Sequence, residues 1–192
     1  MKAKKPRIYG IRLGGVGGQG NVALGIIFAN ALADAGKWVV QTQSYGAQVR
    51  GGLTKSDIIV SDQPINFPET ESIDVLLCLH QMALDVFAED MDGNAILILD
   101  TTYVHSISSV VERITRRIIE MPISQMSVEK FSNRMFANSI ALGILTRSCK
   151  NVVDKEHVKN ALIDHFKGKF VEENKKAFEL GYESVANISF LL

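Results

Sequence analysis

Apolar and polar positions alternate over Arg7-Ile8-Tyr9-Gly10-Ile11-Arg12-Leu13, the period of a half-buried strand. The pattern breaks at Gly14-Gly15-Val16-Gly17-Gly18-Gln19-Gly20 and resumes as an apolar run of helix formers from Val22 to Ala35. Strand, glycine-dense turn and helix in that order predict the opening of a βαβ unit. The helix is expected to start with Asn21 as N-cap and to close with Gly36 at C′. Only Asn30 and Asp34 interrupt its apolar surface, whereas a helix covering a sheet in a lone domain should carry a polar half. Either another element of the same chain packs on its second face, or another subunit does.

Further along, Lys37 to Thr42 reads as a second strand and Thr54 to Val60 as a third. Ser61-Asp62-Gln63-Pro64 is a turn. Ile73-Asp-Val-Leu-Leu-Cys-Leu79 and Ala95-Ile-Leu-Ile-Leu99 are continuous apolar runs, the mark of strands buried on both faces. Gln81 to Asp90 is expected to be a helix ending near an Asp92-Gly93 turn. Val110–Ile114 and Arg117–Met121 fit either two strands or a helix followed by a strand. Short helices are expected over Ser124–Lys130, Asn133–Arg147 and, capped by Asp154, up to Lys167-Gly168. A last amphipathic helix covers Phe170 to Leu180, stopped by Gly181. His157 and His165 lie two turns apart, too far for a shared metal, and both are expected to face solvent. Strands alternating with helices at this pitch predict an α/β fold: a three-layer αβα sandwich on a mostly parallel Rossmann-like sheet, a mixed sheet being the alternative. Ligands in such sheets gather outside the carboxyl ends of the strands. The loops there are Gly14–Gly20, Gln43–Gly52, His80-Gln81 and Asp100-Thr101.

Composition narrows the chemistry. Lys plus Arg equals Asp plus Glu at 21 each, so no net field draws in nucleic acid. No apolar run approaches the ~20 residues that span a bilayer. The basic start runs directly into a strand without the apolar core of a signal peptide, which predicts a cytoplasmic address and no membrane partner. The two cysteines, Cys78 and Cys149, sit far apart in apolar segments and read as buried small hydrophobes. An iron–sulfur cluster takes about four thiolates, so the chain holds none alone. Phosphate-loop, nucleophile-elbow and metal-ligand spacings are all missing.

The glycine loop has two open explanations. Gly15, Gly17 and Gly20 fit G-x-G-x-x-G, in which glycines permit φ > 0 and bring bare N–H groups to an anion at a helix N-terminus. The acidic residue that grips a ribose about 20 residues on is missing, since the second strand ends Val39-Val40-Gln41-Thr42-Gln43. A nicotinamide or flavin cradle therefore competes with a purely architectural or partner-facing turn. In Gln43–Gly52, Tyr45 and Arg50 stand beside Gly51 and Gly52. That loop suits a phosphate or carboxylate, or is an ordinary surface turn.

Several motifs in fixed order carry a resemblance. Gly15-Val-Gly-Gly-Gln-Gly20, Val40-Gln-Thr-Gln-Ser-Tyr-Gly-Ala-Gln-Val-Arg-Gly-Gly52 and Ile59-Val-Ser-Asp-Gln-Pro-Ile65 come first. Asp74-Val-Leu-Leu, Asn138-Ser-Ile-Ala-Leu-Gly143 and Glu173-Asn-Lys-Lys-Ala-Phe-Glu-Leu-Gly-Tyr182 follow. Together they resemble the gamma subunit of 2-oxoacid:ferredoxin oxidoreductases over nearly the whole chain. The resemblance implies a single pyruvate/ketoisovalerate oxidoreductase gamma-type domain over residues 1–192, in a complex that decarboxylates a 2-oxoacid to an acyl-coenzyme A and reduces ferredoxin. It implies thiamine diphosphate between alpha and beta partner chains, iron–sulfur clusters in a ferredoxin-like delta chain, and coenzyme A as a substrate of the complex. No cofactor is assigned to this chain alone, and no residue of it is catalytic. Gly15, Gly17, Gly18, Gln19, Gly20, Tyr45, Arg50, Gly51 and Gly52 become candidate contacts for coenzyme A or a partner subunit. Many relatives carry Glu at the position of Gln48, so a carboxylate facing a cation there is lost. The Gln-Thr-Gln-Ser-Tyr-Gly wording is more similar to the 2-oxoglutarate members than to the pyruvate members. The competing function is a stand-alone dinucleotide- or nucleotide-binding protein built on the Gly15–Gly20 loop.

Overall fold

A computed structural model describes residues 7–45, 52–70, 72–168 and 170–192. Its six strands are β1 (Ile8–Val16), β2 (Trp38–Tyr45), β3 (Leu53–Ser61), β4 (Ile73–Cys78), β5 (Met91–Asp100) and β6 (Ile118–Met121). They form one sheet in the order β2-β3-β1-β4-β5-β6. The β1–β4, β4–β5 and β5–β6 pairings are parallel, and β3 runs antiparallel to both β1 and β2. The sheet is therefore mixed, though mostly parallel. The reason is chain length: the few residues between Tyr45 and Leu53 cannot make the dozen-residue crossover a parallel return requires. β3 turns back as a hairpin partner and fills the place between β1 and β2.

Helices cover both faces. α1 (Asn21–Asp34), α5 (Ala137–Ser148), α6 (Lys155–His165) and α7 (Val171–Ser184) lie over the face carrying Ile11, Leu13, Ile58, Val75 and Ile98. α2 (Gln81–Phe87) and α3 (Ser109–Ile114) lie over the face carrying Leu76, Cys78, Leu97 and Leu99. α4 (Ile123–Phe131) leads from β6 towards α5. Val110–Ile114 and Arg117–Met121 resolve as helix then strand. Cys78 and Cys149 are both free and buried, one in each of the two cores.

The outer flank of α1 is closed from within the chain. Phe28 and Leu32 are fully buried in the core that also holds Val158, Ala161 and Leu162 of α6, so no second subunit is needed to explain the apolar helix. Its end is a Schellman motif: the Gly36 N–H donates to Ala33 O (2.9 Å) and the Lys37 N–H to Leu32 O (3.1 Å), with Gly36 at φ 79°. The start differs from expectation. Gly20, not Asn21, is the cap residue, and Asn21 is buried with its amide donating to Leu13 O and Thr54 O, both at 3.1 Å.

Two other boundaries move. Asp92 and Gly93 lie inside β5 instead of forming a turn. α7 runs through Gly181 to Ser184, because that glycine is needed for packing. A Cβ on Gly181 would lie 2.0 Å from Ile140 O, and one on Gly143 would lie 2.1 Å from Phe178 O. α5 and α7 thus cross backbone to backbone. His157 is half-buried with its Nδ1 shielded from solvent, and His165 alone of the two faces water.

Candidate functional site at the carboxyl edge of the sheet

β1, β2, β4 and β5 all end at one edge, and the loops after β1, β4 and β5 converge there. The glycine loop is only partly the turn its spacing suggests. Gly14 and Gly15 are still in β1, and the positive dihedrals belong to Gly18 (φ 99°) and Gly20 (φ 77°). Gly14 is small because a Cβ there would lie 2.9 Å from both Ala83 and Phe87 of α2. The Gly15 and Gly17 positions therefore do not form the left-handed cradle of a dinucleotide fingerprint.

Gln19 organises the loop. Its Oε1 accepts from the Val16 N–H (2.9 Å), its Nε2 donates to Leu79 O (2.8 Å), and its own carbonyl accepts from Asn138 Nδ2 (2.9 Å). One residue so ties the ends of β1 and β4 to the start of α5. The space a Cβ on Gly15 would enter is 2.9 Å from Gln19 Oε1, so the side chain fills the concave side of the turn. Gly17 N–H donates to Gly52 O at 2.9 Å, joining this loop to the residues just before β3.

The opposite wall is built around Asp100, fully buried at the end of β5. Its carboxylate accepts from Ser124 Oγ (2.6 Å), the Ser124 N–H (3.2 Å) and the Thr102 N–H (3.0 Å). A carboxylate against the first turn of α4 satisfies exposed helix N–H groups and complements the helix dipole. Tyr103 follows and stacks on His80, ring centroids 6.2 Å apart. Asn133 Oδ1 accepts from the Met135 N–H at 3.0 Å and holds the turn that presents Arg134.

Between these walls lies a cleft of about 410 Å³ lined by Gly18, Gln19, Gly20, Leu79, Tyr103, Ser124, Arg134, Met135 and Asn138. Its polar groups are amides, hydroxyls and one guanidinium, a set that can orient an anionic or amide-bearing group, and the hydroxyl of Ser124 is held on the Asp100 carboxylate. The thiols of Cys78 and Cys149 are pushed far up by burial and are inert as nucleophiles at neutral pH. Among the described residues no group of three or more His, Cys, Asp and Glu could hold a metal ion, and no helix is long and apolar enough to cross a membrane.

Of the residues expected at the site, Gly18, Gln19 and Gly20 line the cleft. Gly17 and Gly52 meet beside it, Gly15 lies under Gln19, and Tyr45 is exposed at the end of β2. Arg50 and Gly51 lie outside the described residues. Tyr103 and Arg134 escaped the sequence analysis because each stands in a short turn far along the chain, and Ser124 because the first turn of a short helix carries no spacing that marks a site. Asn138 was within reach, since it opens the Asn138–Gly143 motif.

A charge network also escaped it. Arg12 on β1 forms a two-pronged pair with Asp57 on β3 (Nε–Oδ1 2.6 Å, Nη2–Oδ2 2.9 Å) and a third bond to Asp90. Lys55 adds a contact to Asp57 at 3.1 Å, and the Arg12 guanidinium lies 5.0 Å from the Phe87 ring centroid. The signal was a lone charge, Arg12, in the first strand and two, Lys55 and Asp57, in the third, where antiparallel pairing brings Asp57 opposite Arg12.

Comparison with known proteins agrees with this architecture. The family profile described as Pyruvate ferredoxin/flavodoxin oxidoreductase matches residues 10–184. The chain is 39% identical over 178 residues to 2-oxoglutarate synthase subunit KorC of Archaeoglobus fulgidus, covering 93% of this chain and 88% of that one. It is 37% identical to the same-named subunit of Methanocaldococcus jannaschii, covering 90% and 91%. The solved gamma subunit of a keto/oxoacid ferredoxin oxidoreductase from Geobacter sulfurreducens superposes with a TM-score of 0.78 at 34% identity, over 91% of this chain and 96% of that one.

Proposed function

The chain belongs to the pyruvate ferredoxin/flavodoxin oxidoreductase family, and from that premise we propose that it is the gamma subunit of a 2-oxoglutarate:ferredoxin oxidoreductase. The complex oxidatively decarboxylates the oxoacid to an acyl-coenzyme A and passes the electrons to ferredoxin. Thiamine diphosphate and the iron–sulfur clusters are assigned to alpha, beta and ferredoxin-like delta partners. This chain does not fit a cluster: its two cysteines are buried on opposite faces of the sheet, and about four thiolates are needed. Its own contribution is a rigid docking edge beside the catalytic chains.

The observation that carries this is the Gln19 clasp. It closes the glycine loop onto β1, β4 and α5 and leaves a shaped cleft beside it, which favours a fixed contact surface over the open cradle of a stand-alone nucleotide binder. We assign the cleft wall of Gly18, Gln19, Gly20, Tyr103, Arg134 and Asn138 to contact with coenzyme A or the catalytic chains. Tyr45, at the end of β2, and Gly52, just before β3, are assigned to the same contact, as are Arg50 and Gly51 by their place in the Gln43–Gly52 sequence.

Reconstitution with the partner chains tests both parts. Viologen reduction should require 2-oxoglutarate and coenzyme A together. A preparation that prefers pyruvate sinks the substrate assignment, and a purified chain that carries a nucleotide and no partners sinks the subunit assignment. Within an active complex, Arg50→Ala should raise the KM for coenzyme A or weaken assembly about tenfold, the loss of one charge-assisted hydrogen bond of roughly 1.5–3 kcal/mol.

A further inference from the structure

We propose that the exposed edge strand β2 pairs with β2 of a second copy of this chain, joining two sheets into one across a two-fold axis. This goes beyond the subunit assignment and does not depend on which oxoacid the complex uses. The two edges of the sheet differ in kind. β6 has four residues, one of them Glu120, and just before it Arg117 donates to the carbonyl of Leu191 at 2.7 Å. Short length, charge and a covering segment are the usual ways a sheet edge is kept from pairing. β2 has none of them. It is eight residues long, Trp38-Val-Val-Gln-Thr-Gln-Ser-Tyr45, without charge, proline or glycine, and it pairs with β3 without a register break. Its other flank has no strand partner among the described residues. Trp38 and Tyr45, 54% and 63% exposed, stand at its two ends.

The charge pattern selects the occupant. Two-fold pairing sets the strand against its own reversed copy, so a charge near its middle would meet like charge. A continuous sheet keeps each face on one side, which centres the pairing on a residue. With the axis at Gln41, Val40 stands opposite Thr42, Val39 opposite Gln43 and Trp38 opposite Ser44. Every one of these pairs is uncharged. The nearest charge along the chain, Lys37, is held by Asp62 at 2.6 Å and would stand opposite Tyr45. A strand from a different subunit would be chosen by complementary charge, and β2 offers it none.

The test uses the full chain and its single tryptophan, Trp38. Sedimentation should give twice the chain mass, and Trp38 emission should shift to the blue as concentration rises and the edge closes. Replacing the exposed Thr42 and Ser44 together, Thr42→Lys with Ser44→Lys, should leave circular dichroism unchanged, hold the chain monomeric and abolish the shift. A wild-type chain that stays monomeric overturns the proposal, as does a double variant that associates like wild type. Protection of β2 amides from hydrogen exchange only when the alpha or beta chains are present would instead assign the edge to a strand from another subunit.

Discussion

Arg12 is the residue on which most depends for its size. Its side chain is 7% exposed and Asp57's 11%, so removing Arg12 leaves the buried Asp57 charge with Lys55 alone beside it, which costs up to about 3–5 kcal/mol. Arg12→Ala should lower the urea midpoint accordingly, and Arg12→Ala with Asp57→Ala should recover a large part of the loss. Asp74 behaves in the opposite sense. Burial raises its carboxyl above the ordinary 3.8, opposed by the bond it accepts from the Gly10 N–H at 2.8 Å. An acid whose folded value is raised holds its proton longer in the native state, so stability falls as pH rises from 3.8 through that folded value. Asp74→Asn keeps an acceptor for Gly10 and should therefore raise Tm at neutral pH, with the gain vanishing below the ordinary aspartate range. Thermal melts at acid and neutral pH compare the two directly.

At the scale of elements, the α5–α7 crossing is the least forgiving contact. Both near approaches at Gly143 and Gly181 are to backbone carbonyls, which cannot swing aside as a side-chain tip would. Gly143→Ala or Gly181→Ala should cost at least the upper end of the roughly 1–3 kcal/mol typical of overpacking, seen as a lowered denaturant midpoint. Gly36→Ala is the control: open space surrounds it, and only the left-handed dihedral is strained, for about 1–2 kcal/mol. Because α5 also carries Asn138, loosening this crossing should reach the Gln19 clasp. In reconstituted enzyme, Gly143→Ala should weaken assembly more than Gly36→Ala does at equal folded fraction.

For the whole molecule, the expectation is an isolated chain that folds without cofactor. Its core is continuous on each face of the sheet, and Phe28 lies inside that core. Phe28→Asp should therefore unfold the chain rather than detach an otherwise native subunit, as circular dichroism with size exclusion distinguishes. The purified chain should show no visible absorption from iron–sulfur charge transfer. Colour in it would refute the assignment of the clusters to other subunits.

The strands β1, β4 and β5, the Gly36 stop, the inert cysteines and the family motifs were all legible in the sequence. Each depends on a short-range property: a period, a turn dihedral, a residue's own hydrophobicity. What the tertiary structure decided are questions of partnership. The hairpin return of β3, the cover of α6 over α1 and the meeting of Arg12 with Asp57 join residues distant along the chain. Gln19 shows the division most clearly. Its place in Gly15–Gly20 was plain, yet its role comes from Leu79 and Asn138, 60 and 119 positions further along. Local pattern cannot specify such contacts, because they depend on how the sheet orders its strands and which loops that order brings to one edge.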